Sequence, residues 1–161
     1  MRDEIIVKVA DLRSGTGTDI LVTIGLGSCV AIVLYDATAH VGGLAHVLLP
    51  SPALSRQDSN PAKFPQTAVP LLLEQMGQQG ASIRRISARL VGGASMFAGL
   101  GAPGTIQMGE RNIVASRQAL HLQGVAIVAE ATGGDFGRTV RFWMADGRVE
   151  VSSVAHGVQT L

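Results

Sequence analysis

The feature that most constrains the fold is an uninterrupted apolar run at residues 29–35, "CVAIVLY". A run of this length, rich in β-branched and bulky side chains, is typical of a buried strand. Turn-forming sequences flank it, "GLGS" at 25–28 and "DATAHVGG" at 36–43. The next apolar run, "LAHVLL" at 44–49, predicts a second strand, which pairs with the first as an antiparallel hairpin.

The rest of the chain alternates predicted strands with two predicted helices. Strands are predicted at 4–10, 20–24, 84–93, 125–131, 138–144 and 148–154, and helices at 66–79 and 109–124. The segment "DLRSGTGTD" at 11–19 is predicted to be a loop because glycine and threonine crowd it. The C-terminal residues are predicted to fray. This irregular order does not indicate a doubly wound sheet, and it favours an α+β domain with mostly antiparallel mixed sheets.

Composition and charge limit the classes of function. The chain has 161 residues, 47% hydrophobic and 16% charged, so residues 1–161 are expected to form one domain with a substantial core. A net charge of +1 and an aromatic content of 4% do not favour a nucleic-acid partner. No apolar run approaches the roughly 18 residues of a membrane span, and residues 1–10 do not resemble a signal peptide. We therefore expect a cytoplasmic protein without membrane insertion.

The single cysteine, Cys29, follows the "GLGS" bend directly. One thiol forms neither an internal disulfide nor a cysteine-rich zinc site. Two hypotheses remain open for it. Cysteine is a small hydrophobe that cores accept, so Cys29 is a packing residue in the first hypothesis. In the second it is a nucleophile, which requires a base or a cation within hydrogen-bond reach because the thiolate is the reactive species.

The predicted hairpin selects one of the four histidines as that base. Residues that face each other across it have numbers that sum to roughly 75–77, so Cys29 lies opposite His46 or one diagonal step from it. A register slip of one residue would place the two side chains on opposite faces. Thr23, on the strand that enters the bend, is positioned to orient an imidazole through its hydroxyl. The alternative for His46 and Thr23 is an ordinary structural role in a strand.

The bend itself suggests a way to stabilise negative charge. Gly25 and Gly27 remove side chains from the neighbourhood of the thiol, and they allow the backbone N–H groups of Gly27, Ser28 and Cys29 to converge. Converging N–H groups are what an oxyanion hole requires. "GLGS" is otherwise a simple bend; it lacks the G-x-G-x-x-G spacing and a following helix, so nucleotide binding is not predicted.

Several separated motifs together resemble one family. "GLGSCVAIVLYD" followed by "GGLAHVLLP", then "VGGASMF", "MGERNI" and "GGDFGRTVRFWMADGRV", occur in the order found in the CheD family, the chemoreceptor glutamine deamidases of bacterial and archaeal chemotaxis. The similarity spans about residues 5–154. In "GGDFGR", Asp135 and Arg138 are predicted to pair or to pin a loop near the active site.

The resemblance implies a Cys–His–Thr triad of Cys29, His46 and Thr23 that hydrolyses glutamine side-chain amides through a thioester, with no metal or organic cofactor. It also implies an α/β/β-type sandwich similar to the catalytic domain of cytotoxic necrotizing factor toxins. The implied partners are methyl-accepting chemoreceptors as substrates and a CheC-type phosphatase as regulator. The alternative is a non-catalytic or dual-role module that docks such a phosphatase.

One segment departs from the family pattern. Where many members have Lys-Tyr-Ala-Asp, this chain has Lys63, Phe64, Pro65 and Gln66. The tyrosine hydroxyl and the aspartate carboxylate are absent, so the sequence leaves open which substrate or partner contacts form near the following helix.

Overall fold

The computed structural model describes residues 4–55, 60–95 and 107–161. Those ranges hold two α-helices, α1 (Pro65–Gln78) and α2 (Met108–Leu122), with short 3-10 turns between the longer elements. They also hold ten strands: β1 (Glu4–Ile6), β2 (Asp11–Thr16), β3 (Ile20–Leu26), β4 (Val30–Asp36), β5 (Val41–Val47), β6 (Ile86–Gly92), β7 (Ala126–Thr132), β8 (Arg138–Trp143), β9 (Val149–Ser153) and β10 (Gly157–Thr160).

The strands form two mixed sheets. The first sheet has the order β1-β3-β8-β9-β10, and the second has the order β2-β5-β4-β6-β7. Pairing is parallel between β1 and β3 and between β6 and β7, and the remaining pairs are antiparallel. Two helices with two mostly antiparallel sheets agree with the predicted α+β class.

The predicted buried strand is the centre of the second sheet. All residues of β4 are buried, and β5 and β6 flank it. Because side chains alternate along a strand, β4 serves two cores. Ile32 belongs to a hydrophobic cluster with Leu72 of α1 and Leu120 of α2. Val33 belongs to a second cluster with Phe142 of the first sheet. The layers are therefore helices, second sheet and first sheet, with an inter-sheet core between the last two.

The loop prediction for 11–19 was wrong, because Asp11–Thr16 forms β2 and pairs with β5 along its whole length. The turn prediction for 36–43 was also too long, because β5 begins at Val41. Its two glycines are close-packing positions rather than turn residues. A Cβ on Gly42 would lie 2.6 Å from Met144 Sδ, and one on Gly43 would lie 2.7 Å from Leu72 Cδ1.

The predicted fraying at the C-terminus was wrong as well. Gly157–Thr160 forms β10, which pairs antiparallel with β9 and so extends the first sheet. The remaining predicted strands and both predicted helices are present with shifted ends. The residues Met96 and Phe97 of "VGGASMF" lie outside the described residues.

Candidate active site

Cys29 lies between the bend at 27–28 and the first residue of β4. Its side chain belongs to the inter-sheet core and is 8% exposed. Residues that follow β6 hold the backbone around it. The Gly93 N–H donates to the Cys29 carbonyl at 2.8 Å, and the Ala94 N–H donates to the Gly27 carbonyl at 2.8 Å. The thiol is therefore carried by backbone that is hydrogen-bonded on both sides of the bend.

His46 lies near the end of β5, directly opposite Ala31 of β4. Cys29 is two residues before Ala31, so alternation places the thiol and the imidazole on the same face of the second sheet. The register makes them diagonal neighbours, whose Cα atoms are about 7–8 Å apart in a regular antiparallel pair. The predicted hairpin allowed Cys29 and His46 to be either directly opposite or diagonal, and the structure has the diagonal arrangement. The imidazole is fully buried.

Thr23 reaches the same imidazole from the other sheet. Its hydroxyl oxygen lies 2.7 Å from His46 Nδ1 and 2.6 Å from the Val7 carbonyl oxygen. A carbonyl only accepts hydrogen bonds, so the single hydroxyl proton of Thr23 is donated to Val7. The hydroxyl oxygen must then accept from His46, which places the proton of the neutral ring on Nδ1. The arrangement therefore leaves Nε2 with a free lone pair.

Burial sets the charge state of both groups. It lowers the pKa of His46 to about 4, from an ordinary value of 6.5. Burial raises the pKa of the Cys29 thiol, and a hydrogen bond from the backbone N–H of the same residue lowers it by less. His46 Nε2 is buried and has no hydrogen-bond partner in the described part of the chain. At neutral pH the pair is thus a neutral thiol and a neutral imidazole with one unused basic nitrogen.

The buried neutral imidazole predicts acid sensitivity of the fold. Below pH 6.5 the unfolded chain takes up a proton at His46 that the folded chain refuses until about pH 4, so stability is lost as the pH falls through this window. The loss from this one group is about 3 kcal/mol. The free energy of unfolding can be measured in urea for the wild type and for His46→Gln between pH 7 and pH 4. We expect it to depend less steeply on pH in the variant. Parallel curves would contradict the assignment.

The bend carries backbone N–H groups directly before Cys29 and at Cys29 itself. Among the described residues, the N–H groups of Gly27, Ser28 and Cys29 donate to no other residue. The Cys29 N–H contacts its own sulfur closely enough to affect the thiol pKa. A negatively charged oxygen that forms on a carbon bonded to this sulfur would therefore lie near the Cys29 N–H.

Asn112 of α2 was not singled out from the sequence. Its Nδ2 donates to the Ser28 carbonyl at 2.9 Å and to the Leu48 carbonyl at 3.1 Å, and its side chain is buried. One amide thus joins the chain just before Cys29 to the chain just after His46. Because a trans peptide directs its C=O and N–H to opposite sides, the bond to Ser28 also turns the Cys29 N–H away from α2. The available signal was an amide side chain on the mostly apolar, buried face of that helix.

The "GGDFGR" loop is pinned by Arg138 rather than by an Asp135–Arg138 pair. Arg138 Nη1 donates to the carbonyls of Gly133 at 2.8 Å and Phe136 at 3.4 Å. The Gly133 N–H in turn donates to the Gly92 carbonyl at 3.0 Å, next to the residues that hold the Cys29 backbone. The loop is therefore connected to the candidate site through the backbone.

The other histidines lie elsewhere. His40 Nδ1 is 3.2 Å from the Tyr35 hydroxyl, His121 is in the last turn of α2, and the His156 ring lies against that of Phe136. Across residues 4–55, 60–95 and 107–161, no group of three or more His, Cys, Asp or Glu side chains is arranged to hold a metal ion. No helix in the same ranges has the length and apolar character of a membrane span.

The segment at 63–66, which differs from the family pattern, has a structural role. Phe64 is buried and precedes α1, and Pro65 is the first residue of that helix. Gln66 Nε2 donates to the Pro50 carbonyl at 2.6 Å. These side chains therefore anchor the start of α1 to the segment that follows β5.

Comparisons with known proteins agree on one family. The family model described as CheD chemotactic sensory transduction matches residues 48–153. A protein of Caldanaerobacter subterraneus subsp. tengcongensis named "Probable chemoreceptor glutamine deamidase CheD" is 44% identical over 153 residues, which cover 95% of this chain and 94% of that protein. Proteins of the same name from Clostridium novyi and Pyrococcus abyssi are 41% and 42% identical, covering 99% and 98% of this chain and 99% and 96% of their own length. The chain belongs to the CheD family.

Proposed function

We propose that this chain is a protein-glutamine deamidase that converts glutamine side chains of methyl-accepting chemoreceptors to glutamate and releases ammonia. The names of the relatives supply the reaction and the substrate class. The observation that carries the proposal is the buried hydrogen bond between Thr23 and His46 at 2.7 Å. It leaves Nε2 of the imidazole free on the face of the sheet that carries Cys29.

The first half of the reaction forms a thioester. His46 Nε2 takes the thiol proton as the Cys29 sulfur attacks the amide carbon of the substrate. Since burial keeps both groups neutral at rest, proton transfer accompanies C–S bond formation instead of preceding it. The N–H groups of the bend, including Gly27, Ser28 and Cys29, stabilise the tetrahedral oxyanion. One such donor typically lowers the barrier by about 3–4 kcal/mol.

The second half returns the enzyme to its starting state. The tetrahedral intermediate collapses, the C–N bond breaks, and His46 gives its proton to the departing nitrogen, which leaves as ammonia. Nε2 then takes a proton from water as the water oxygen attacks the thioester carbon. The C–S bond breaks, the sulfur regains the proton, and glutamate remains. Thr23 accepts from the Nδ1–H through both halves, so Nε2 is the nitrogen that gains and loses the proton.

Thr23 acts as a positioning residue in this scheme, which predicts the effect of its replacement. Thr23→Val keeps the shape but removes the acceptor for the buried Nδ1–H, so kcat should fall by about 10- to 100-fold, the value of a hydrogen bond to the charged imidazolium that forms during turnover. Thr23→Ser keeps the oxygen and is the matched control, with kcat near that of the wild type. Steady-state kinetics with KM unchanged would support this assignment, and equal kcat values for the valine and serine variants would contradict it.

The remaining expectations, from the sequence and from the family resemblance, are part of the same proposal. We infer one domain over residues 1–161, a cytoplasmic location and a likeness to the cytotoxic necrotizing factor catalytic domain. Docking of a CheC-type phosphatase is proposed as a second role, either beside catalysis or in its place.

The decisive experiment combines the purified protein with receptor cytoplasmic fragments. The expected result is ammonia release together with the mass change of amide-to-carboxylate conversion at individual glutamines. Fragments incubated without the protein are the control for spontaneous deamidation. If the fragments bind but release no ammonia, the enzymatic proposal is overturned.

A further inference from the structure

Arg138 is a strongly buried cation at the same end of the inter-sheet core as Cys29. It begins β8 and alternates with Val140 and Phe142, which lie in the inter-sheet core. The residue is 6% exposed. Such burial removes water from the guanidinium, and it lowers the pKa of Arg138. A desolvated charge normally requires a partner of opposite sign.

Within the described ranges, Arg138 has no carboxylate partner. Its contacts are the two backbone carbonyls that Nη1 binds and the Phe136 ring, whose centroid lies 4.0 Å from the guanidinium carbon. The arginines that do pair with carboxylates have side chains that are 43–58% exposed: Arg13, Arg85, Arg117 and Arg141. Among the described residues, carboxylate partners thus accompany exposed arginines, whereas the buried Arg138 has none.

The Nε–Nη2 edge of the Arg138 guanidinium has no partner among the described residues, and this edge can bind a carboxylate through two hydrogen bonds. Nε and Nη2 of Arg138 donate to no described residue, whereas Nη1 is committed to the backbone. Arg117 shows the use of the same edge. Its Nε and Nη2 hold the two oxygens of Glu130 at 3.0 and 2.8 Å. Two parallel N–H groups match the two oxygens of a carboxylate, which gives both strength and orientation.

Two grooves reach the Arg138 side chain. The larger, of about 710 Å³, is bordered by Ile24 and Val154, and the smaller, of about 270 Å³, by Glu130 and His156. The free nitrogens of Arg138 are not among the completely buried polar atoms that lack a partner, and the residue lines both grooves.

Neither of the two acidic residues that border the grooves, Glu130 and Asp135, binds Arg138. Glu130 is occupied by Arg117. Asp135 also borders the larger groove, but its side chain is exposed, where water screens its charge.

The grooves lie within reach of a substrate held at Cys29. Arg138 pairs with Leu26 across the first sheet, and Leu26 is three residues before Cys29. A neighbouring strand is about 5 Å away and each residue spans at most about 3.6 Å, so the Cα atoms of Cys29 and Arg138 are at most about 16 Å apart. A substrate segment spans this separation with about five extended or eleven helical residues.

We propose that Arg138 is a specificity residue that binds an acidic side chain of the substrate protein close to the target glutamine. This inference rests on the proposed deamidase function and adds the chemistry by which the site selects its substrates. The ligand is a carboxylate, held by the Nε–Nη2 edge of Arg138 while the target amide lies at Cys29. When the substrate carboxylate dissociates, Arg138 returns to the unpaired state seen in the structure.

The test changes the substrate first, so that it does not depend on an enzyme variant that folds. In receptor fragments with one reactive glutamine, each acidic residue within about eleven positions is replaced singly by alanine. With the wild-type enzyme, one replacement should raise KM by about 10- to 100-fold, the value of a charge-assisted hydrogen bond, while kcat stays the same. Neutral residues at adjacent positions, replaced by alanine, are the control.

The enzyme variants then identify the partner. Arg138→Met should raise KM for the unchanged fragment, and its KM should not rise further when the critical acidic residue of the fragment is replaced. Arg138→Lys should have a KM between those of the wild type and Arg138→Met. Arg141→Met, on the exposed face of the same strand, is the matched control and should leave KM unchanged. KM values that stay constant across all acidic replacements overturn the carboxylate proposal alone. Absence of ammonia release from every fragment overturns the deamidase proposal as well.

Discussion

Replacing Cys29 by alanine is expected to reduce ammonia release from receptor fragments by a factor of at least about 10⁴, the scale of losing a catalytic nucleophile. The thiol supplies the only covalent bond to the substrate in the proposed reaction, and the alanine side chain carries no nucleophile. The measurement is kcat at saturating fragment, with circular dichroism to verify folding. The alanine side chain suits a position that is 8% exposed within an apolar core.

The same variant separates the two hypotheses for the single cysteine. If Cys29 is only a packing residue, Cys29→Ala costs a little stability and leaves turnover intact. Ala31→Gly, a change of similar size on the same face of β4, is the control for loss of packing. Retained deamidation by Cys29→Ala would remove the thiol from the mechanism.

The charge state at rest bears on how the thiol should be probed. Burial raises the pKa of Cys29 and leaves it protonated at neutral pH. Alkylating agents react with the thiolate, so fast labelling by iodoacetamide is not expected even of a catalytic Cys29. Turnover is therefore the informative readout, since in the proposed mechanism the substrate is attacked in the same step in which His46 removes the proton.

Replacing Asp36 by alanine is expected to destabilise the fold by about 3 kcal/mol, because it removes several hydrogen bonds to one buried carboxylate. Asp36 ends β4 and is fully buried. It accepts from the N–H groups of Thr38, Ala39 and Ser82, and its Oδ2 is 3.0 Å from Arg85 Nη2. The carboxylate thus joins the turn after β4 to the segment before β6. Urea unfolding at pH 7 measures the loss.

Acid sensitivity provides a second readout for Asp36. Burial by itself raises the pKa, but the hydrogen bonds from Arg85 and the backbone outweigh it and lower the pKa to about 2, from 3.8. Its contribution is therefore present above pH 4 and is lost as the pH falls toward 2. Asp11→Ala, which breaks an exposed pair with Arg13, is the control and should cost less than about 1 kcal/mol. Equal losses for the two variants would contradict the role assigned to Asp36.

The local pattern of apolar and turn-forming residues predicted some of the strands correctly and others wrongly. The run at 29–35 predicted β4 because a buried strand is apolar at every position. The same approach failed at 11–19, where β2 forms from turn-prone residues because β5 supplies a partner along its full length. It also failed at Gly42 and Gly43, whose missing side chains make room for Met144 and Leu72 rather than for a turn. Packing partners distant in the chain decided these elements.

The sequence by itself determined that Cys29 and His46 belong to the two strands of one hairpin, because apolar runs flank a short turn. The register of β4 and β5 then places them on one face, which a slip of one residue would have reversed. Thr23 was selected from its place before the bend, yet its bond to His46 forms between two different sheets. Only the tertiary structure decided the tautomer of His46, the amide of Asn112 between two strand ends, and the burial of Arg138 without a counter-ion. Each of these depends on how one layer packs on another, which no local periodicity encodes.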